Sequence, residues 1–304
     1  MTVLRPTDLD AAVAAEGEYR AGGTDVEERH RLGISAGPVV DLGGITGLAG
    51  IEETDDGGLR IGAMTRLVEL ERIGWLGSVV RGIVPGLRAV GTVGGELLQR
   101  TRCWYYRHPH ARCLKRGGDD CPARGGDHLY GVVFDTGPCV WPHPSSLAPA
   151  LVAAGARAEI HGGPDRLVED LYGDGSDPSR DHLLGSAELL VAVVVPAVDR
   201  WSHVRVDPRS AASAPLVEVV AVEVAGVLRV VGGGVAPAPR RLVAVEEAMA
   251  GGADPIEAAR RVAEGAAPLP GSAYKLDLLR RATEEALTGL DGDDETPRRS
   301  RRGV

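Results

Sequence analysis

Apolar residues in this chain come in short runs ended by glycine, a pattern of turn-rich strands rather than long helices. Residues 38–42, 59–64 and 156–161 read as strands, and so do 189–195, 216–224 and 227–231. The last two are joined tightly through Ala225-Gly226, which predicts a hairpin. Helical spacing marks 8–15, with Thr7 or Asp8 as its N-cap, and 66–73 and 147–154. It returns in 241–250, 255–265 and 274–287. Between these groups, 100–139 is polar and rich in arginine, and 172–181 is a loop of Gly, Asp, Ser and Pro.

Strands mixed with helices make an α+β protein, and 304 residues suit two domains of ordinary size. The expected division is 1–175, with an insertion at about 100–139, then 176–290 as a smaller α+β unit. The tail 291–304 runs acidic, then basic, with no apolar anchor, and is expected to be disordered. A net charge of −9 argues against nucleic acid as a partner, because phosphate binding needs a basic face. The N-terminus lacks the basic start and apolar stretch of a signal peptide. The longest apolar run, 189–195, falls well short of the roughly 20 residues a bilayer span requires. A cytoplasmic protein with no membrane insertion is therefore expected. Disulfides are rare in that compartment, so four cysteines in one segment point to metal or redox chemistry.

Two glycine loops each follow an apolar, strand-like segment: Ala21-Gly22-Gly23-Thr24-Asp25 and Gly91-Thr92-Val93-Gly94-Gly95. Glycine lets the backbone turn sharply and bring N–H groups close to an anion such as a pyrophosphate. Thr24 and Thr92 add hydroxyl donors. Glycine pairs are also common turn punctuation, and neither loop carries the Rossmann or P-loop signature.

Cys103, Cys113, Cys121 and Cys139 are every cysteine in the chain. Thiolates suit zinc or iron–sulfur. Structural zinc usually arrives on closely spaced cysteine pairs, and none occurs here. Wide, irregular spacing favours a cluster held by a loop wrapped around it, with zinc and free thiols as alternatives. Arg102, Arg107, Arg112, Lys115, Arg116 and Arg124 surround these positions and are expected to lower the thiol pKa values. Trp104, Tyr105 and Tyr106 either pack the loop or form an apolar shell that keeps water out. His108 and His110 are alternative ligands or plain loop residues, and His143-Pro144 is a structural turn. Lys275, at the start of an amphipathic helix, reads as a solvated or capping lysine. No Ser-His-Asp set, paired carboxylates or H-E-x-x-H pattern is visible, so hydrolysis has no apparatus.

Four segments occur in a telling order: Ala21 to Asp25, Leu59-Arg60-Ile61-Gly62-Ala63-Met64-Thr65, Gly91 to Gly95, and His143-Pro144-Ser145-Ser146-Leu147-Ala148-Pro149-Ala150-Leu151. This series resembles the FAD-binding motifs of the flavin subunits of the xanthine dehydrogenase, aldehyde oxidoreductase and hydroxybenzoyl-CoA reductase family. Gly233-Gly234-Val235-Ala236-Pro237-Ala238-Pro239-Arg240 and Ala273-Tyr274-Lys275-Leu276 resemble that family's C-terminal domain.

The resemblance implies a two-lobed FAD-binding domain of the PCMH/VAO type and a smaller C-terminal α+β domain. It places Ala21, Gly22, Gly23, Thr24, Asp25, Thr92, Gly94 and Gly95 around the FAD diphosphate and ribityl, and Ala63 and Thr65 near the flavin. Ser145, Ser146 and Lys275 complete the implied cofactor contacts. Glu96 stands where the family usually has Asn, or Asp in some members, and Ser146 where an Asp commonly contacts the cofactor. Around Cys103, Cys113 and Cys121 the sequence resembles an insertion in some of these subunits whose four cysteines bind a [4Fe–4S] cluster. Implied partners are a molybdopterin-binding large subunit, a [2Fe–2S] small subunit and an external electron acceptor. Electrons then pass from iron–sulfur centres through FAD to that acceptor. Other readings of the same residues are a stand-alone flavin oxidase and a zinc-stabilised adaptor.

Overall fold

The computed structural model describes residues 2–208, 214–290 and 301–302. It is α+β, built on three sheets. Strands Val3–Leu4, Glu18–Arg20 and Val39–Asp41 make a small parallel sheet with the last in the centre. Helix Leu9–Ala14 connects the first two, with Asp8 as its N-cap accepting from the Ala11 amide at 2.8 Å.

The second sheet is antiparallel and ordered Ile51–Glu53, Leu59–Gly62, Leu189–Val195, Arg157–His161, Arg166–Leu167. Here one expectation is corrected. Leu189–Val195, assigned from sequence to the C-terminal unit, is the central strand of this sheet. An apolar run shows that a strand is buried on both faces, but not which neighbours bury it.

The third sheet joins Arg200–Asp207, Val217–Val224, Val227–Gly233 and Arg240–Arg241 in antiparallel order. Ala225 and Gly226, at φ 50° and 75°, make the predicted tight hairpin, whose turn type needs positive φ at both central residues. Of the tail expected to be disordered, only Arg301–Arg302 is described, lying parallel to Arg200–Asp207; the rest lies outside the described residues.

Val217–Val224 holds the two halves together because its alternate residues serve two cores. Val217, Val219 and Ala221 pack against Leu279, Ala282 and Ala286 of helix Tyr274–Gly289. Val220 and Val222 face the other way, into a core shared with the second sheet and with helices Gly74–Arg81 and Leu147–Ala153. Side chains on successive strand residues point to opposite faces, so a strand feeding both cores must be apolar at nearly every position. Residue 66–73, expected as an α-helix, is instead a 3₁₀ segment, Leu67–Arg72.

Lys275 is not solvated. It is only 1 % exposed, and its ammonium donates to the carbonyls of Gly234 at 2.5 Å, Gly131 at 3.0 Å and Tyr130 at 3.4 Å. Burial pulls its pKa down to about 7. It pins the end of the cysteine segment to the C-terminal sheet and has no donor left for a cofactor. Lys275→Met, which strands three buried carbonyls, is expected to cost about 2–4 kcal/mol. Urea unfolding followed by tryptophan fluorescence checks this; a midpoint equal to wild type contradicts the pinning role.

Candidate functional site

Strand Glu18–Arg20 leaves the small sheet directly into the first glycine loop. Gly23 sits at φ +74°, where a Cβ is strained, and a Cβ on Gly22 would run into the Val90 carbonyl. The loop thus lies flat against 90–91, which lead into the second glycine segment. Among the described residues, the amides of Gly22, Gly23 and Thr24 donate to no protein acceptor.

Helix Val93–Leu97 begins at Thr92, whose hydroxyl accepts from the Gly95 amide at 3.2 Å. The Gly94 amide donates to Ala63 O at 2.7 Å and the Val93 amide to Thr65 O at 2.9 Å. A Cβ on Gly94 would press on Ala63 at 3.1 Å. Gly95 meets only the Thr92 hydroxyl at 3.1 Å and Ala21 Cβ at 4.0 Å. Three segments far apart in sequence, Ala21–Thr24, Ala63–Thr65 and Thr92–Gly95, therefore form one cradle of bare backbone. Unpaired amides there suit an anionic group such as a diphosphate.

The fourth segment, Ser145–Ser146, reaches the same place through Glu96. The Ser146 amide donates to Glu96 Oε1 at 3.1 Å, and the Gln99 side chain donates to Glu96 Oε2 at 2.8 Å. Burial pushes the Glu96 carboxyl up to about 7, against a pull downward from the Ser146 amide and Arg102. The Ser146 hydroxyl accepts from Arg205 Nη1 at 2.7 Å, and Ser145 Oγ caps the following helix by accepting from the Ala148 amide at 3.0 Å. Arg205 in turn lies 3.6 Å from Glu218, which is bonded to His203 at 2.8 Å. His143 is a structural turn, as expected. Its Nδ1 accepts from the Ser145 amide at 3.3 Å, and its ring meets Tyr172 edge-on at 4.6 Å. Burial lowers its pKa to about 4.

Asp25 does not face the cradle. Its carboxylate accepts from Arg107 at 2.5 Å, from Arg29 at 2.9 Å and from the Arg100 amide at 3.2 Å. Burial alone would raise this carboxyl, but Arg107 and Arg29 outweigh it and hold it below the usual range.

The cysteine segment begins here and contains only short helical turns, Trp104–Arg107, Leu114–Arg116 and Pro122–Gly125. Cys103, Cys113, Cys121 and Cys139 line one small cavity of about 20 Å³, and none is in a disulfide. Among the described residues, no three His, Cys, Asp or Glu side chains gather closely enough to hold a single metal ion. His108 and His110 stack on each other at 5.8 Å on the exposed side and take no part in the cavity. Trp104 packs edge-on against Trp141 at 4.9 Å and Tyr130 at 5.5 Å, and Tyr105 and Tyr106 line the cavity itself. The aromatic cluster therefore packs the loop and screens the thiols together.

Lys115 and Arg116 pull Cys113 downward, and Lys115 does the same to Cys139, as expected, but burial and the Cys121–Cys139 bond outweigh them. Burial pushes Cys103 up to about 12 and raises Cys113. Cys139 is raised by its bond to Cys121, and that same bond lowers Cys121 to about 5. The cations are occupied elsewhere. Arg124 grips Asp135 at 2.7 Å, Arg116 donates to His108 O at 2.6 Å, and Arg102 pairs with Glu28 at 2.7 Å. Lys115 lies 3.0 Å from Asp181, whose other partner is Arg100 at 2.5 Å. Asp181, Glu28 and Tyr172 carry no motif, and only the folded chain brings them to the site.

Known proteins resemble this arrangement. Residues 1–198 match the family model described as FAD binding domain in molybdopterin dehydrogenase. The aldehyde oxidoreductase FAD-binding subunit PaoB of Escherichia coli (strain K12) is 33 % identical, over 92 % of this chain and 95 % of that one. Among solved structures, carbon monoxide dehydrogenase from Hydrogenophaga pseudoflava superposes with a TM-score of 0.71 at 20 % identity. That match covers 95 % of this chain and 96 % of the other. Quinoline 2-oxidoreductase from Pseudomonas putida 86 has the same score and coverage at 16 % identity, so these two share the fold. The chain is thus a member of the family of FAD-binding domains found in molybdopterin dehydrogenases, an oxidoreductase subunit.

Proposed function

We propose that this chain carries electrons between iron–sulfur centres and an external acceptor, with FAD in the glycine cradle and a [4Fe–4S] cluster on Cys103, Cys113, Cys121 and Cys139. Its partners are a molybdopterin-binding large subunit, where substrate is oxidised, and a [2Fe–2S] small subunit. In this reading the flavin-binding unit extends to about residue 198, the span of the family match, with 100–139 inserted in it. The observation that carries the reading is the convergence of Ala21–Thr24, Ala63–Thr65 and Thr92–Gly95, with the amides of Gly22, Gly23 and Thr24 left without a protein acceptor among the described residues. Bound flavin supplies the redox chemistry, and the chain binds it, orients it and sets its surroundings.

Within the cradle, the amides of Gly22, Gly23 and Thr24 take the diphosphate, and Gly95 lets the cofactor approach its backbone. Ala63 and Thr65 lie beside the flavin, and Ser145 and Ser146 close the site. A cluster that gives each thiolate its own iron suits four cysteines that share a cavity without converging on one point. The thiols must give up protons as it forms, because thiolate is the ligand.

Freshly purified complex containing this chain is expected to show flavin absorbance, with one FAD and about four irons bound by this chain. Colourless protein, or zinc in place of iron, overturns the assignment. Gly95→Val, which fills the open face of the cradle, is expected to weaken FAD binding by at least about tenfold. Retention equal to wild type in fluorescence titration contradicts the placement.

Glu96 gives the site a pH dependence. Folded, it keeps its proton up to about pH 7, whereas an ordinary glutamate loses it near 4.5. Its contribution to stability is thus complete below about 4.5 and is lost as pH rises through 7. Glu96→Gln, neutral at every pH, is expected to gain about 1–2 kcal/mol over wild type at pH 8 and little at pH 4.5. FAD should also bind it several-fold more tightly at pH 8, since a carboxylate next to the Ser146 turn repels a diphosphate. Identical pH profiles for the two proteins rule this out.

A further inference from the structure

Asp25 closes the first glycine loop yet spends its carboxylate entirely on the other side. Its side chain is 13 % exposed, and those of Arg107 and Arg29 are 11 % and 8 %. Arg107 does more than pair with it. Its guanidinium also donates to Thr101 O at 2.9 Å and Arg100 O at 3.0 Å, and it lies over the Tyr106 ring at 5.4 Å. Thr101 and Tyr106 are both walls of the cysteine cavity. One carboxylate therefore holds the end of the glycine loop and, through a single guanidinium, the start of the cysteine loop. A second strand of contacts runs beside it: Arg102 joins Glu28 to Gln99, and Gln99 joins Glu96.

We propose that Asp25 is a positioning residue that couples the two loops, so that an assembled cluster tightens flavin binding and bound flavin tightens the cluster. The inference rests on the iron–sulfur reading above. Fixing the cysteine loop around a cluster fixes Arg100, Thr101 and Arg107, and these fix the carboxylate that ends the loop Gly22–Thr24. Coupling of this kind is reciprocal: each group must change the other's equilibrium affinity by the same factor. Asp25→Asn keeps the shape and one acceptor while removing the charge that two guanidinium groups share.

The test uses the intact complex and the rate of FAD release on dilution, read by the rise in flavin fluorescence, alongside iron content per chain. In wild type, replacing Cys121 with serine to remove the iron is expected to speed FAD release on the order of tenfold. Asp25→Asn with iron present should release FAD faster by a similar factor and also lose iron more readily to a chelator. Cys121→Ser added to Asp25→Asn should then speed release little further, because the link is already cut. Arg166→Ala, which breaks the ion pair with Glu188 on the edge strand of the second sheet, serves as the control and should release FAD at the wild-type rate. Iron present in wild type, with FAD release indifferent to its removal, overturns the coupling alone. Wild-type complex without iron on this chain overturns the cluster reading and the coupling with it. Should Asp25→Asn fail to fold, Arg107→Lys, which keeps the charge but not the forked contacts, must show the same acceleration for the proposal to stand.

Discussion

The stretch from Arg100 to Cys139 has no sheet and no long helix, so most of its backbone carbonyls cannot be satisfied within regular structure. Guanidinium groups do that work instead. Arg116 donates to four carbonyls, of Tyr106, His108, Pro109 and Ala111, and Arg124 to those of Gly137 and Pro138 as well as to Asp135. Arginine's planar fork of donors fits this role in a way lysine cannot. The arrangement of the four cysteines follows from it, because each sits beside a turn that an arginine or Lys115 ties down.

This account reverses the meaning that the sequence lends to those cations. Clustered around cysteines, they read as charges that activate thiols. Folded, they are matched by Asp25, Glu28, Asp135 and Asp181; at Cys103 and Cys113 burial prevails, while Cys121 is lowered by its bond to Cys139. Nothing in the spacing reveals this, since Lys115 and its partner Asp181 belong to different loops joined only in space. The glycine loops were legible for the opposite reason. Positive φ and close backbone approach are needs that glycine meets at least cost, so the residue type itself carries the signal. At the hairpin Gly226 carries the same signal, although Ala225 beside it also takes a positive φ of 50°. Strand partners were not legible: Leu189–Val195 is apolar throughout, and such a run fits any doubly covered strand in either half of the molecule. Arg200–Asp207 escaped notice altogether, because its buried positions hold Arg205 and His203 where a strand pattern calls for apolar residues.

Those polar residues belong to a buried charged group. Glu218 occupies one position of the doubly buried strand, with His203 and Arg205 opposite on the neighbouring strand and Ser146 beyond. One Glu218 oxygen has no partner among the described residues. Burying charge at this depth returns little net stability, and well-packed apolar side chains would often do better. The more economical explanation is orientation. Arg205 reaches from the C-terminal sheet to the Ser146 hydroxyl, and Glu96 reaches from the glycine helix to the Ser146 amide. The turn that closes the cradle is therefore held from both halves of the molecule at once.

A serine at position 146 is consistent with that double hold. An aspartate there would bring a third carboxylate beside Glu96 and Glu218, with Arg205 and Arg102 as the cations that act on them. Like charges this close raise each other's pKa and push the group toward a shared proton. The Glu96 carboxyl, already displaced upward by burial and by Glu218, shows that the site is near that limit. Serine accepts the Arg205 bond without adding charge and keeps a hydroxyl proton to donate. Glu96 and Ser146 thus act together: the acid stands on the glycine helix, and the neutral turn receives its bond.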